Sequence, residues 1–198
     1  MKKLIFILSI FSITYSCSKT EVQILPSPQI INKVTSPLYK IGDTALGGKI
    51  AYILQQGDSG FDANMQHGLV AAISDQTSAI RWNNGTNKTT GAKGIVIGTG
   101  FANTNSIISA QGETTTSYAA GLARAYKGGG YDDWFLPSKD ELNKLYINKL
   151  IIGGFVNNNY WSSSEKDFEF AYKLNFTNGD QNANNKVNVF YVRAIRAF

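Results

Sequence analysis

The C-terminal segment VNVFYVRAIRAF, residues 187–198, is apolar on both faces of an alternating strand, yet it carries two arginines. Successive side chains of a strand point to opposite sides, so Arg193 lies on one face and Arg196 on the other. A strand buried on both faces cannot leave a guanidinium unpaired without a large cost in free energy. The fold must therefore cover this strand on both sides and supply carboxylates to it.

A second segment, GGGYDDWFLPSKDEL at residues 128–142, supplies four carboxylates. Ser138 and Glu141 have the spacing of a capping box, in which each side chain bonds the backbone N–H of the other at a helix start. Asp140 favours the same helix end, because negative charge is stabilised there. The two remaining carboxylates are candidate partners for the arginines; the alternative is an acidic active site. We interpret six residues as structural: Asp132, Asp133, Ser138, Glu141, Arg193 and Arg196.

The N-terminal stretch MKKLIFILSIFSITYSC has the pattern of a bacterial lipoprotein leader. Its apolar run, residues 4–13, spans about 15 Å as a helix, half of a ~30 Å bilayer core, which favours a signal peptide over a membrane span. Cys17 follows Ser16 and resembles the lipid-accepting cysteine of a lipobox. The alternative is an ordinary signal peptide with an incidental cysteine. Cys17 is the only cysteine, so the prediction is a lipid anchor without internal disulfides or a cysteine nucleophile.

We predict a leader at residues 1–16, an extended, proline-containing tether at 17–38 and one domain at 39–198. Removing the leader takes two lysines from a formal net charge of +5 and leaves +3, without a basic run. This charge does not indicate a nucleic-acid partner. Charged residues are 17% of the chain, against about 25% in typical soluble proteins. Asparagine, threonine, serine and glycine must therefore supply much of the polar surface.

Hydrophobic periodicity predicts both strands and helices within the domain. Strands are predicted at residues 48–55, 68–74, 80–82, 95–97, 160–164, 170–176 and 187–198. Helices are predicted from Asn103 or Thr104 to Gly112, over 117–126, and from Ser138 to Gly153. The segment TNGDQNANNK, residues 177–186, is predicted to be a polar loop.

Asparagine clusters mark the segments that we expect to face a ligand. Asparagine favours turns, because it tolerates positive φ; its amide also suits ligands rich in hydroxyl groups. Neither interpretation excludes the other. With the neighbouring aromatic and charged side chains, the predicted ligand surface is Trp82, Asn83, Asn84, Asn158, Asn159, Tyr160, Lys166, Phe168, Asp180, Asn182, Asn184 and Lys186.

No metal site, cofactor site or catalytic residue is predicted. His67 is the only histidine, and without a second histidine or a cysteine a zinc site lacks ligands. The segment from Asp180 matches the first ligand positions of an EF-hand loop, but Asn185 replaces the required glycine and Tyr191 the required glutamate. GTGFAN has Asn103 where a dinucleotide-binding fingerprint needs its third glycine.

Seven motifs together resemble one known family. They are HGLVAAISDQ (67–76), RWNNGTNKTTGA (81–92), IGTGFANTNSII (97–108), SYAAGLARAY (117–126), GGYDDWFLPSKDELNKLY (129–146), NNYWSSSE (158–165) and YVRAIRAF (191–198). In this order they resemble the Lcl C-terminal domain family, whose neighbour in pattern is the Fibrobacter major paralogous domain.

The resemblance implies an extracellular or surface module with a compact α+β, C-type-lectin-like fold, in which two to three helices pack on twisted antiparallel sheets. The collagen-like adhesin that names the family uses this domain to bind sulfated glycans as a trimer, so a homotrimer is one expected assembly, although no collagen-like stalk is present here. Two hypotheses follow. The first is a lipid-anchored surface protein, at the outer membrane or cell surface, that binds glycan or another cell-surface polymer. The second is a structural or protein-interaction module of an envelope assembly. We expect neither to be an enzyme.

Overall fold

The computed structural model describes residues 38–112 and 116–198. The predicted leader, Cys17 and the tether as far as residue 37 lie outside the described residues. Within these ranges the chain forms nine strands and four α-helices. The strands are β1 Thr44–Ala45, β2 Gly48–Ile53, β3 Gly68–Ala71, β4 Thr77–Arg81, β5 Asn159–Glu165, β6 Phe170–Asn175, β7 Gln181–Asn185, β8 Val189–Val192 and β9 Ile195–Ala197. The helices are α1 Gly100–Gln111, α2 Ala119–Ala125, α3 Lys139–Ile147 and α4 Lys149–Ile152.

The strands form two sheets, one with the order β1-β2-β3-β9 and one with the order β4-β8-β5-β6-β7. Neighbours are antiparallel except β5 and β8, which run parallel and pair at Tyr160 and Tyr191. Helix α1 packs on β5, while α3 packs on β2, β5 and β6. The predicted α+β class is confirmed.

The C-terminal segment is two strands, and the prediction of one continuous strand was wrong. Strand β8 belongs to the five-stranded sheet and β9 to the four-stranded sheet. Between them, Arg193 donates to Asp75 Oδ1 at 2.7 Å and to the carbonyl oxygens of Ala72 and Gly154 at 3.0 and 2.5 Å. The chain thus bends around a buried guanidinium and crosses from one sheet to the other, as strands do at sheet corners.

Residues 95–97 were predicted as a strand but instead support the start of α3. The carbonyl oxygen of Ile95 accepts a hydrogen bond from the Asp140 N–H at 2.9 Å, and that of Val96 accepts from the Ser138 hydroxyl at 2.9 Å. These carbonyl groups are therefore engaged by a helix terminus and not by a neighbouring strand. The predicted capping box is confirmed, since Ser138 and Glu141 bond each other's backbone N–H groups.

Two further boundaries differ from the predictions. Helix α1 begins at Gly100, before Asn103, because the Asn103 amide bonds both the carbonyl and the N–H of Gly94 and does not cap the helix. The predicted loop at 177–186 contains β7, whose five residues all pair with β6. It forms the edge of the five-stranded sheet.

Buried clusters lie on both sides of the five-stranded sheet. Trp161 belongs to one cluster with Ile107 of α1, whereas its neighbour Tyr160 belongs to the other with Leu142 of α3. Because adjacent residues of one strand point to opposite sides, this division identifies the two faces of β5 and of the strands that pair with it.

Candidate functional site

Three residues of the predicted ligand surface lie in the interior, and their assignment was wrong. Trp82 is fully buried, and its indole N–H donates to the Ser162 carbonyl oxygen at 2.8 Å. Tyr160 is equally buried; its hydroxyl donates to Asp75 Oδ2 at 2.8 Å, and burial raises the pKa of this phenol. Asn83 is buried and bonds within its own loop. These side chains complete the core and leave no surface for a ligand to contact.

Lys186 was also predicted to contact ligand, but it is fully buried. Its Nζ donates to Glu165 Oε1 at 2.7 Å and to the carbonyl oxygens of Lys88 and Phe168 at 2.9 and 3.0 Å. Burial alone would raise the pKa of Glu165, but hydrogen bonds from Lys186 and Thr90 and the lysine charge outweigh it and lower the pKa. This pair is a saturated internal contact, since a buried ammonium requires such partners.

The acidic pair at 132–133 contributes one arginine partner. Asp133 accepts hydrogen bonds from Arg196 Nε at 2.7 Å and Nη2 at 2.8 Å, as the sequence predicted for one of the two aspartates. This bidentate contact lowers the pKa of Asp133. Asp132 is exposed and forms no ion pair within the described residues. Arg193 pairs with Asp75, a carboxylate that the sequence did not single out.

A polar face forms where β5, β6 and β7 run side by side. Trp161 pairs with Lys173, and Lys173 pairs with Asn182. Directly paired residues of neighbouring strands point to the same side, so all three share the face of Trp161. Asn159 and Asn184 lie two residues further along their strands and therefore share it too. We call Asn159, Lys173, Asn182 and Asn184 the asparagine face.

Lys173 is the unusual member of the asparagine face. The residue as a whole is 7% exposed, and its ammonium, which reaches solvent, forms no hydrogen bond or ion pair with any described residue. Burial lowers the pKa of Lys173, and the nearby charge of Asp180 opposes this effect. An ammonium carries three donors, and Lys186 uses three in the same sheet region. Lys173 thus retains unused donors beside a polar surface.

The same face also offers an acceptor and an aromatic ring. Asn159 Oδ1 is buried and has no hydrogen-bond partner in the described part of the chain. Phe190 of β8 is partly exposed and packs on Trp161 with a ring-centroid distance of 4.5 Å. Asn184 Oδ1 accepts a hydrogen bond from the exposed Asn188 amide. Donor, acceptor, amide and ring therefore occur together on one side of the sheet.

The other predicted ligand residues are dispersed. Asp180 and Asn158 are exposed near the asparagine face, at the ends of β7 and β5. Lys166 and Phe168 are exposed in the turn between β5 and β6, at the opposite end of these strands. Six strand residues separate the two ends by roughly 20 Å. Asn84 is exposed on another loop, and its amide donates to the Gln111 carbonyl oxygen.

Sequence reasoning missed Lys173 and Phe190. The segment FAYKLN, residues 170–175, carries one available signal, because a lysine alternates with Ala171 inside an otherwise apolar strand. The signal acquires meaning only when residues 181–185 are known to pair with this strand. Because those residues were predicted to form a loop, the residues that lie beside Lys173 on the neighbouring strand could not be identified from the sequence.

The residues of the asparagine face lie within the part of the chain that matches a protein-family model. The family model for the Lcl C-terminal domain matches residues 71–196. The chain belongs to the Lcl C-terminal domain family. The match includes the whole asparagine face and both buried arginines, and it confirms the family prediction. Membership in the Lcl family indicates an adhesin-like domain at a cell surface. No curated protein matches the chain.

Neither a membrane span nor a metal cluster is found in the part of this Lcl domain protein that the structure describes. No helix within residues 38–112 and 116–198 has both the length and the apolar character needed to cross a bilayer. Over the same ranges, no group of three or more histidine, cysteine, aspartate or glutamate side chains is placed to hold a metal ion.

Proposed function

We propose that this protein is a surface-displayed binding domain whose asparagine face recognises a hydroxyl-rich polymer, such as a glycan. The observation that carries the proposal is the ammonium of Lys173, which lies among three asparagines on one face of the sheet and has no partner within the described residues. An ammonium with unused donors can donate to a ligand without first losing an internal contact. Polar groups placed together in this way are typical of binding sites, because they fix the orientation of a ligand.

The chemistry of the face suits sugar hydroxyl groups. A hydroxyl oxygen accepts from Lys173, whose ammonium has unused donors. The Asn182 amide offers both a donor and an acceptor, and the partly exposed Phe190 ring can pack on the apolar side of a sugar ring. Since Asp180 places a carboxylate near the ammonium, the face selects for hydroxyl groups more than for a high density of negative charge.

The wider setting of the proposal follows from family membership and the N-terminal sequence. The adhesin-like assignment supports a cell-surface location and a C-type-lectin-like arrangement of the two sheets. A lipid on Cys17 would hold the domain at the bacterial envelope, at the outer membrane or cell surface, through the tether. In this proposal the domain binds its polymer without a cofactor or a catalytic step.

The proposal is tested by a glycan array with the purified chain and an Asn182→Ala/Asn184→Ala variant. Both amides lie on the edge strand β7 and are not fully buried, so the substitutions should leave the melting temperature unchanged. We expect saturable binding by the wild type and loss of the same glycans from the variant. Absence of any saturable binding by the wild type would refute the proposal.

A second function, as a protein-interaction module, is favoured by an exposed apolar surface around α4. Leu150 is 90% exposed, and Ile147 and Ile151 are exposed beside it. Side chains of this kind in one place are typical of contact surfaces between proteins. A protein partner that cross-links to the wild type and not to a Leu150→Asp variant would support this function. Equal cross-linking of the two proteins would remove α4 from consideration.

A further inference from the structure

A cavity of about 370 Å³ opens in a part of the molecule remote from the asparagine face. Its lining comes from β3, β9, the long connection between β2 and β3, α1 with the segment before it, and α3 with the segment before it. It includes no residue of β5, β6 or β7. Six large apolar side chains form most of the wall: Leu54, Leu69, Ile97, Phe101, Phe135 and Phe198.

The aromatic wall of the cavity is held in place before any ligand arrives. Phe101 is 43% exposed, yet its ring makes an edge-to-face contact with Phe135 at a centroid distance of 5.7 Å. The guanidinium carbon of Arg124 lies 4.5 Å from the centre of the same ring, and its Nη2 donates to Asn105 Oδ1 at 2.8 Å. An exposed ring fixed by two contacts keeps the cavity formed, which reduces the entropy cost of binding.

Both carboxylates at the cavity already accept hydrogen bonds from the protein. The carboxylate of Glu141 accepts from the N–H groups of Gly98 and Ser138, and that of Asp133 accepts from Arg196. His67 differs, because its ring makes a single hydrogen bond, between Nδ1 and the main-chain oxygen of Phe198 at 3.1 Å, within the described residues.

The contact of His67 fixes its tautomer. A main-chain oxygen can only accept, so Nδ1 carries the hydrogen, and in the neutral ring Nε2 is then an acceptor. Nε2 has no partner in the described part of the chain. His67 therefore adds a nitrogen acceptor to the lining residues of this mainly apolar cavity.

We propose that this cavity binds a small, uncharged, ring-containing molecule that bears one hydroxyl donor, with Nε2 of His67 as its acceptor. Its volume lies at the lower end of small-molecule sites, which span about 300–1,000 Å³. One substituted six-membered ring fits this space, and a polymer chain does not. The ligand class thus differs from that of the asparagine face.

Phenol and toluene are matched probes for this proposal, since they differ by one hydroxyl in place of a methyl group. Titrations of the full chain should show saturable binding of both, with phenol bound roughly 2- to 10-fold more tightly, as one hydrogen bond to a neutral acceptor provides. His67 is the only histidine, so its ring nitrogen resonances are unambiguous in ¹⁵N NMR spectra. Phenol should shift the Nε2 resonance, and toluene should leave it nearly unchanged.

Two cavity variants and one control variant complete the experiment. His67→Phe should remove the preference for phenol and retain toluene binding, whereas Ala197→Phe, at an exposed lining position, should fill the cavity and abolish binding of both. Lys173→Met is the control and should bind both probes as the wild type does. Absence of saturable binding to the wild type, or an unmoved Nε2 resonance with phenol bound, would overturn the proposal. Glycan binding is expected to be unaffected by His67→Phe, so the two proposals fail independently.

Discussion

Replacing Lys186 with methionine should destabilise the protein strongly, because it removes one member of a fully buried ion pair. The two side chains have no exposed surface, and the ammonium lies 2.7 Å from Glu165 Oε1. The remaining carboxylate would keep N–H donors from Thr90 and Gly91 at 2.9 and 3.2 Å, and Lys93 at 3.4 Å. Breaking a buried pair costs about 3–5 kcal/mol; these surviving partners favour the lower part of that range.

Urea unfolding of four proteins would measure this effect: wild type, Lys186→Met, Lys186→Met/Glu165→Gln, and the control Lys93→Met. Lys93 is 52% exposed, so its loss should cost less than about 1 kcal/mol. The double variant should be more stable than Lys186→Met, because no uncompensated charge remains buried. In thermal unfolding the single variant should melt roughly 6–20 °C below the wild type. If Lys186→Met matched Lys93→Met in stability, the reasoning about this pair would be refuted.

Three further predictions concern other sites. Asp133→Ala should lower stability by about 1–2 kcal/mol, because it removes the carboxylate partner of the largely buried Arg196, while the 44% exposure of the Asp133 side chain lets water screen the pair. The exposed Asp132→Ala should change stability by less than ~0.5 kcal/mol, and equal losses in thermal unfolding would contradict the assignment. The lowered pKa of Asp133 stabilises the fold above the unfolded-state pKa near 4, and this contribution is lost as the pH falls through the folded-state value, so urea midpoints should be flat near pH 6 and fall below about pH 4. Cys17→Ala should move the protein from the membrane to the soluble fraction, and unchanged fractionation would refute lipid anchoring.

Local features of the fold were readable from the sequence. The capping box at Ser138 and Glu141 depends on residues three apart, and the structure contains it. The need of the arginines for carboxylates was equally clear, because the physical requirement does not depend on topology. Which carboxylate pairs with each arginine does depend on topology. Asp75 reaches Arg193 only because β8 and β9 belong to different sheets and the chain bends between them.

The candidate site was harder to predict, because it depends on strand register. Asparagine has a low preference for strands, so residues 181–185 indicated a loop; pairing with β6 at the sheet edge overrides that preference. The same pairing places Lys173 on the asparagine face. Lys186 instead forms a buried ion pair with Glu165. A sequence pattern shows two lysines in a polar region, and only the tertiary structure shows which one has partners.

The most direct test of the asparagine face compares Lys173→Met with Lys127→Met, which changes an exposed lysine outside the five-stranded sheet, in the segment after α2. For each protein, the melting temperature and the affinity for the best array glycan would be measured by calorimetry. Since the Lys173 ammonium has no partner to lose within the described residues, methionine should leave the melting temperature equal or higher. It should also weaken glycan binding about 10- to 100-fold, as loss of a charged hydrogen bond does, while Lys127→Met changes neither quantity. A Lys173→Met protein that binds the glycan like the wild type, or that loses binding only because it melts at a lower temperature, would contradict the account.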